Sequence, residues 1–217
     1  MDLRGFFVRE LAEVVRVGVM TLESMLLNAR HWAEPPAALA LDDDVLTVEA
    51  GARTDVFTNP LTGEVRNDAA RALLVPPPGD WQFSARLRVD FRAPWDAGAV
   101  VVWSAPDVWA KLNFEQSPDG PPTLYSVVTR GLSDDAVGWP LHHGPVWLRI
   151  SRLDGGFAFH ASLDGDSWRL ARQFSLDGAP DVKVGIEVQS PVGDGCVVGF
   201  DRMTLTPSRL PHLFDGR

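Results

Sequence analysis

The sequence predicts an all-β fold, a sandwich or a barrel, and three observations carry that prediction. Across much of the chain apolar and polar residues alternate with a period of two. No run of helical period comes between these segments from residue 45 onward. Asp-Gly or Gly-rich turns separate several of them, as at Asp154-Gly155-Gly156, Asp164-Gly165 and Asp177-Gly178. Alternation marks strands with one buried face, whereas strands interleaved with helices would mark an α/β protein.

The clearest strand is Trp81 to Phe91. It sets Trp81, Phe83, Ala85, Leu87, Val89 and Phe91 on one face and Gln82, Ser84, Arg86, Arg88 and Asp90 on the other. Similar runs fall near 98–104, 108–116, 123–130, 146–153, 156–163, 167–174, 182–190 and 196–206. Weaker ones lie near 45–50, 54–58 and 69–75. The expected core holds Trp81, Phe83, Leu87, Val89, Phe91, Leu112, Phe114, Leu148, Ile150, Phe157, Phe159, Val184 and Ile186. A register slip of one residue would turn each strand's apolar set outward.

Before Pro35-Pro36 the period changes. Phe7, Leu11, Val14, Val15, Leu22, Met25 and Leu26 recur at helical spacing, with Arg9, Glu13, Arg16 and Glu23 opposite them. This predicts an N-terminal amphipathic helix over residues 1–30, an accessory docked on the body, on a second copy or on a protein partner. Its polar face is not basic, which argues against a membrane surface. The expected organisation is therefore that helical extension, a β domain over 31–208 and a C-terminal tail over 209–217.

The 217 residues carry a formal net charge of −9. Phosphate contacts need a basic patch and anionic membranes repel acidic surfaces, so neither nucleic acid nor membrane is an expected partner. Hydrophobic residues make up 45% of the chain, which suffices for one continuous core. The lone cysteine, Cys196, allows no intrachain disulfide and reads as a small apolar strand residue. No stretch has the apolar length of a membrane span, and Asp2, Glu10, Glu13 and Glu23 interrupt any signal-peptide core. A cytoplasmic location is expected, with Met20 and Met25 as alternative starts.

Several catalytic signatures are absent. There is no G-x-S-x-G elbow and no H-E-x-x-H. Gly193-Asp194-Gly195 with Gly199 misses the dinucleotide spacing by one residue and opens no helix. His142 and His143 would point to opposite faces of a strand. Asp42-Asp43-Asp44 reads as a solvated turn before Val45 rather than a calcium loop. Neither a metal nor a cofactor is expected.

One strand is chemically unusual. In Trp109 to Glu115 the residues Ala110, Leu112 and Phe114 form the apolar face, so Trp109, Lys111, Asn113 and Glu115 line up on the other. An aromatic, a cation, an amide and a carboxylate in one row suit a sugar ring, stacking on its face and bonding its hydroxyls. Val182 to Gln189 repeats the arrangement, with Lys183, Gly185, Glu187 and Gln189 opposite Val182, Val184, Ile186 and Val188. The plainer alternative is a wet sheet face with Lys–Glu cross-strand pairs.

At these residues the sequence resembles a known family of unknown function that includes the regulation-of-enolase proteins. The resembling pieces come in order: Trp32-Ala33-Glu34-Pro35-Pro36, Thr54 to Phe57, Gly79 to Phe83, Trp95 to Gly98, and Trp109 to Glu115. Ser126 to Arg130 follows with Ser133-Asp134, then Leu148 to Arg152, Ser162 to Trp168, and Val184 to Pro191. The resemblance runs from about Trp32 to about Thr206 and implies a concanavalin A-like lectin/glucanase jelly roll. It departs from the family at two places. The family's Tyr-Asp-Gln triplet is Trp95-Asp96-Ala97 here, and its Ser-Asp-Trp is Ser133-Asp134-Asp135. The family has no agreed catalytic residues to carry over.

Three functions compete. The leading one is a non-catalytic binding module that presents Trp109, Lys111, Asn113, Glu115, Arg130, Asp134, Glu187 and Gln189 on a concave sheet to a carbohydrate-like or small polar ligand. The second is a regulatory protein-binding domain using the N-terminal helix. The third is a glycoside hydrolase, which needs two carboxylates flanking the scissile bond; only a cross-strand Glu115–Glu187 pair would supply them. No catalytic residue is assigned, because fold analogy is not evidence of chemistry.

Overall fold

In the computed structural model, which describes residues 21–176, 181–214 and 216, two seven-stranded antiparallel sheets pack face to face. The strands in chain order begin with β1 (Trp32–Glu34), β2 (Ala38–Asp42), β3 (Val45–Glu49), β4 (Val56–Thr58), β5 (Val65–Asn67) and β6 (Ala70–Leu74). Next come β7 (Trp81–Asp90), β8 (Ala97–Ala105), β9 (Val108–Gln116), β10 (Pro122–Arg130) and β11 (Leu132–Pro140). The last are β12 (Val146–Leu153), β13 (Gly156–Ser162), β14 (Arg169–Phe174), β15 (Lys183–Gln189) and β16 (Val197–Thr206).

The first sheet has the order β1-β6-β15-β8-β9-β10-β11 and the second β14-β13-β12-β7-β16-β3-β2, while β4 and β5 form a separate hairpin. Sequence neighbours pair within the runs β2–β3, β4–β5, β8 to β11 and β12 to β14. The late strands β15 and β16 instead return to lie between early strands of opposite sheets. The expected all-β jelly-roll sandwich forms.

Its core follows from the alternation. Phe83, Leu87, Leu148, Ile150 and Phe159 of the second sheet meet Leu112, Phe114, Val184 and Ile186 of the first, all buried, with Val89 and Phe91 half-buried at the margin. A Cβ on Gly98 would lie 2.6 Å from Val198 and 2.7 Å from Leu87, so a side chain there would push the sheets apart. Asp43 and Asp44 form the two-residue β2–β3 turn with φ of 45° and 64°, the left-handed pair that a tight hairpin demands.

Most of the expected N-terminal helix, residues 1–20, lies outside the described residues. What is described is one turn, α1 (Leu22–Leu26), whose N-cap Thr21 hydroxyl accepts the Ser24 N–H at 3.2 Å. This turn packs into the body of the sandwich. Leu26 is fully buried in the inter-sheet core, and Glu23 accepts the Met203 N–H at 2.7 Å where a bulge interrupts β16. The C-terminal segment is also anchored: Leu210 is buried, and Arg209 pairs with Asp80 and Asp154.

Candidate functional site

The outer face of the first sheet carries the unusual row. On β9, Trp109, Lys111, Asn113 and Glu115 point away from the core, and on β15 Glu187 and Gln189 do the same. Between those strands lies β8, where Ala97 stands between Glu115 and Gln189, and Ala99 between Asn113 and Glu187. Two methyl groups leave room for the longer side chains on either side to meet above β8.

They do meet. Lys111 Nζ lies 3.2 Å from Glu187 Oε1 and 3.6 Å from Asp55 Oδ1, and it donates to Gln189 Oε1. Gln189 Nε2 donates to Glu115 Oε2 at 3.3 Å and to the Trp95 carbonyl at 3.1 Å. Asn113 Nδ2 donates to the same Glu115 Oε2 at 2.9 Å. Glu115 and Glu187 thus belong to one network, joined through Gln189 and Lys111.

This face is not open along its length. The β4–β5 hairpin lies across it, held by the Thr58 N–H donating to Ser133 Oγ at 2.9 Å. Val56 of β4 packs with Leu73, Val101, Trp103, Trp109 and Val127 into a second, smaller apolar cluster. That overturns the expected role of Trp109. It is buried in that cluster, stacked on Trp103, and its Nε1 donates to the Pro106 carbonyl at 3.2 Å, so its ring serves packing and lines no part of the cavity.

At the other end of the hairpin the face opens into a cavity of about 370 Å³. Lys111, Asn113, Glu115 and Gln189 form its floor, Trp95, Tyr125 and Phe57 its aromatic walls, and Asp55, Asn59 and Asp135 its further polar lining. Trp95 and Tyr125 meet edge to face, with centroids 5.9 Å apart. Trp95 holds a left-handed backbone with φ 69°, uncommon for a bulky residue and worth about 1–3 kcal/mol of strain. Asp96 fixes that corner: its fully buried carboxylate accepts the N–H groups of Arg92 and Ala93 at 2.8 and 2.9 Å and the Ser190 hydroxyl at 2.6 Å.

Two other expected site residues lie elsewhere. The β10 register puts Tyr125, Val127 and Thr129 on the cavity side, so Arg130 falls on the opposite face, where it reaches the Ser175 carbonyl. Asp134 shares that face and pairs with Arg172 at 3.0 Å. Its neighbour Asp135 is the one that lines the cavity. Glu187 is buried behind Lys111 rather than lining the cavity. The sequence reading missed Trp95, Tyr125, Phe57, Asp55 and Asp135. The available signals were the family-like piece Thr54 to Phe57, which holds Asp55 and Phe57, and the departures at Trp95-Asp96-Ala97 and Ser133-Asp134-Asp135; Tyr125 had none.

Burial dominates the electrostatics. It pushes the Glu115 carboxyl up to about 8, against the opposing pull of the Asn113 hydrogen bond and the Lys111 charge. It raises Glu187 too, again opposed by Lys111. Two buried acceptor atoms here have no partner, Asn113 Oδ1 and Glu187 Oε2. Cys196 is fully buried, with its thiol pushed up to about 12 by burial, which suits an inert packing residue. Among the described residues no three His, Cys, Asp or Glu side chains group as metal ligands, and no helix is long and apolar enough to cross a membrane.

The fold and this site define a jelly-roll β-sandwich with a polar, aromatic-walled cavity on one sheet. The chain belongs to the family described as Protein of unknown function (DUF1349), which matches residues 32–208. Its structure is similar to that of a functionally unknown protein from Saccharomyces cerevisiae, at 23% identity and a TM-score of 0.75, over 81% of this chain and 94% of that one. It is also similar to a xylan beta-1,4-xylosidase from Bacillus halodurans C-125, at 13% identity and a TM-score of 0.64. That match covers 82% of this chain but only 37% of the xylosidase. An alginate lyase from Klebsiella pneumoniae matches at 13% identity and a TM-score of 0.52, over 77% and 83% of the two chains. At these identities the likeness is one of fold. No curated protein matches the sequence.

Proposed function

We propose that this chain is a non-catalytic binding module, cytoplasmic, which takes a carbohydrate-like or small polar ligand in the cavity above β9. One observation carries the reading. The cavity joins aromatic walls, Trp95 and Tyr125, to a floor in which the buried Asn113 Oδ1 has no hydrogen-bond partner. Buried acceptors are almost always satisfied, and a ligand hydroxyl would satisfy this one. Ring faces beside converging polar groups are how sugar-sized ligands gain both affinity and orientation.

The similar folds of a xylosidase and an alginate lyase agree with a polysaccharide-related role, although fold alone does not carry chemistry. Membership of the concanavalin A-like superfamily is part of this proposal, and the link to the regulation-of-enolase proteins rests on the sequence resemblance. A hydrolytic Glu115–Glu187 pair is less favoured, because Glu187 is tied to Lys111 outside the cavity lining.

The test is a titration of the full chain, followed by nuclear magnetic resonance, with neutral sugars, sugar acids and sugar phosphates. Trp95→Ala and Tyr125→Ala should each weaken binding by tenfold or more. If none of these compounds perturbs the cavity residues, the module reading is wrong.

A further inference from the structure

Resting on that reading, one feature of the cavity floor selects among ligands. Both hydrogen bonds that Glu115 receives, from Asn113 Nδ2 and Gln189 Nε2, fall on the same oxygen, Oε2. A protonated carboxyl keeps its proton on the oxygen that does not accept such bonds. That oxygen is Oε1, on a side chain that lines the cavity. Beside it, Asn113 Oδ1 is a buried acceptor without a partner. The only basic side chain among the described lining residues is Lys111, and its ammonium already faces Glu187, Gln189 and Asp55.

We propose that Glu115 works in this site as a neutral acid, its Oε1–H donating to a ligand oxygen while Asn113 Oδ1 accepts from a ligand hydroxyl, so that the site takes the vicinal hydroxyls of an uncharged sugar and rejects sugar acids. A hydroxyl both donates and accepts, so two adjacent ones match one donor and one acceptor set side by side. An anionic ligand instead finds no unpaired cation and meets Asp55 and Asp135. Burial supports the neutral form, since it holds the Glu115 carboxyl up to about 8.

The charged and titratable groups around Glu115 come from each neighbouring element. Lys111 on β9 favours its ionised form, while Glu187 on β15 and Asp55 before β4 oppose it. Asp135 on β11 and Tyr125 on β10 complete the lining, and β8 contributes only Ala97 opposite Glu115. Gln is the neutral isostere. In Glu115→Gln the amide oxygen takes the place of Oε2 under the same two donors, and its NH₂ takes the place of the Oε1–H.

The experiment titrates the full chain with methyl β-D-glucopyranoside and methyl β-D-glucopyranosiduronate, which differ only at a carboxylate, and with the matching galacto pair. At pH 6.5 a neutral glycoside should bind at least tenfold more tightly than its acid. Binding of the neutral glycoside should weaken by tenfold or more between pH 6.5 and 9.5. Glu115→Gln should bind at pH 6.5 within about threefold of the wild type and lose that pH dependence, whereas Glu115→Ala should abolish binding. Equal binding of glycoside and acid, or loss of binding in Glu115→Gln with the fold intact, overturns the neutral-acid assignment and leaves the module reading standing. Absence of binding by every sugar, charged or neutral, removes the module reading itself and this inference with it.

Discussion

Trp109 lies flat against Trp103, with ring planes 5° apart and centroids 5.9 Å apart, and the Arg71 guanidinium sits 4.4 Å from the Trp103 ring. This stack is the centre of the small apolar cluster under the β4–β5 hairpin. Trp109→Ala should therefore lower stability by about 3–5 kcal/mol in a urea or guanidinium melt, the usual penalty for emptying a buried indole site. As the outer-face residue the sequence suggests, it would change the midpoint little. A loss under about 1 kcal/mol would mean the hairpin does not cover this face in solution.

Lys111 answers to the same covering. Its side chain is 1% exposed and stands between Glu187 and Asp55. Lys111→Met removes the cation that bonds Glu187 directly and leaves that buried carboxylate only the pull of Arg71 on the neighbouring strand, which should destabilise by about 3–5 kcal/mol. The double variant Lys111→Met with Glu187→Gln should recover part of that loss, because the buried Glu187 no longer carries a charge without its bonded partner. Chemical denaturation of the four proteins in the cycle gives the coupling. A double variant no more stable than Lys111→Met would show that packing around the lysine stem, not its charge, is what matters.

The turn α1 makes a third prediction. Leu26→Ala should cost about 2–5 kcal/mol, since this side chain is fully buried between the sheets. Glu23→Ala should cost about 1–3 kcal/mol by leaving the Met203 N–H of the β16 bulge without an acceptor. A chain starting at Asn28 loses both and should melt well below the full chain. An unchanged melting temperature for that truncation would return α1 to the status of an accessory.

What was legible in the sequence was periodicity. Strands with one apolar face, such as β7, β9 and β15, declare both their existence and their inward residues, and the core followed from them. The outward row on β9 was equally legible, but what covers it was not. A three-residue strand such as β4 carries almost no periodic signal, yet it decides that Trp109 is buried while Glu115 lines a cavity. The edge strand β11, Leu132–Pro140, has mostly exposed residues and no apolar alternation. Unrecognised as a strand, it gave no register to separate Asp134 from Asp135. Trp95 and Tyr125 come from a left-handed corner and a nearly all-buried strand, and neither shows in a pattern which face it serves.

The pH dependence of stability tests the buried carboxyl without any ligand. In the unfolded chain Glu115 releases its proton near the ordinary 4.5, whereas in the folded chain burial holds it to about 8. Between those values the native state keeps a proton that the unfolded state has lost. Stability from this group is therefore full below about pH 4.5, falls as pH rises through the window, and levels off above about 8. Glu187, raised in the same direction, adds to the slope. Glu115→Gln removes its own share, because an amide carries no proton to lose. The variant should match the wild type near pH 4.5 and be the more stable protein at pH 8, by an amount on the order of a few kcal/mol. Urea melts at half-unit steps across this range give the difference directly. A constant offset between the two proteins from pH 4.5 to 8 would mean that Glu115 is ionised in the native state, and that its two amide donors and Lys111 outweigh its burial.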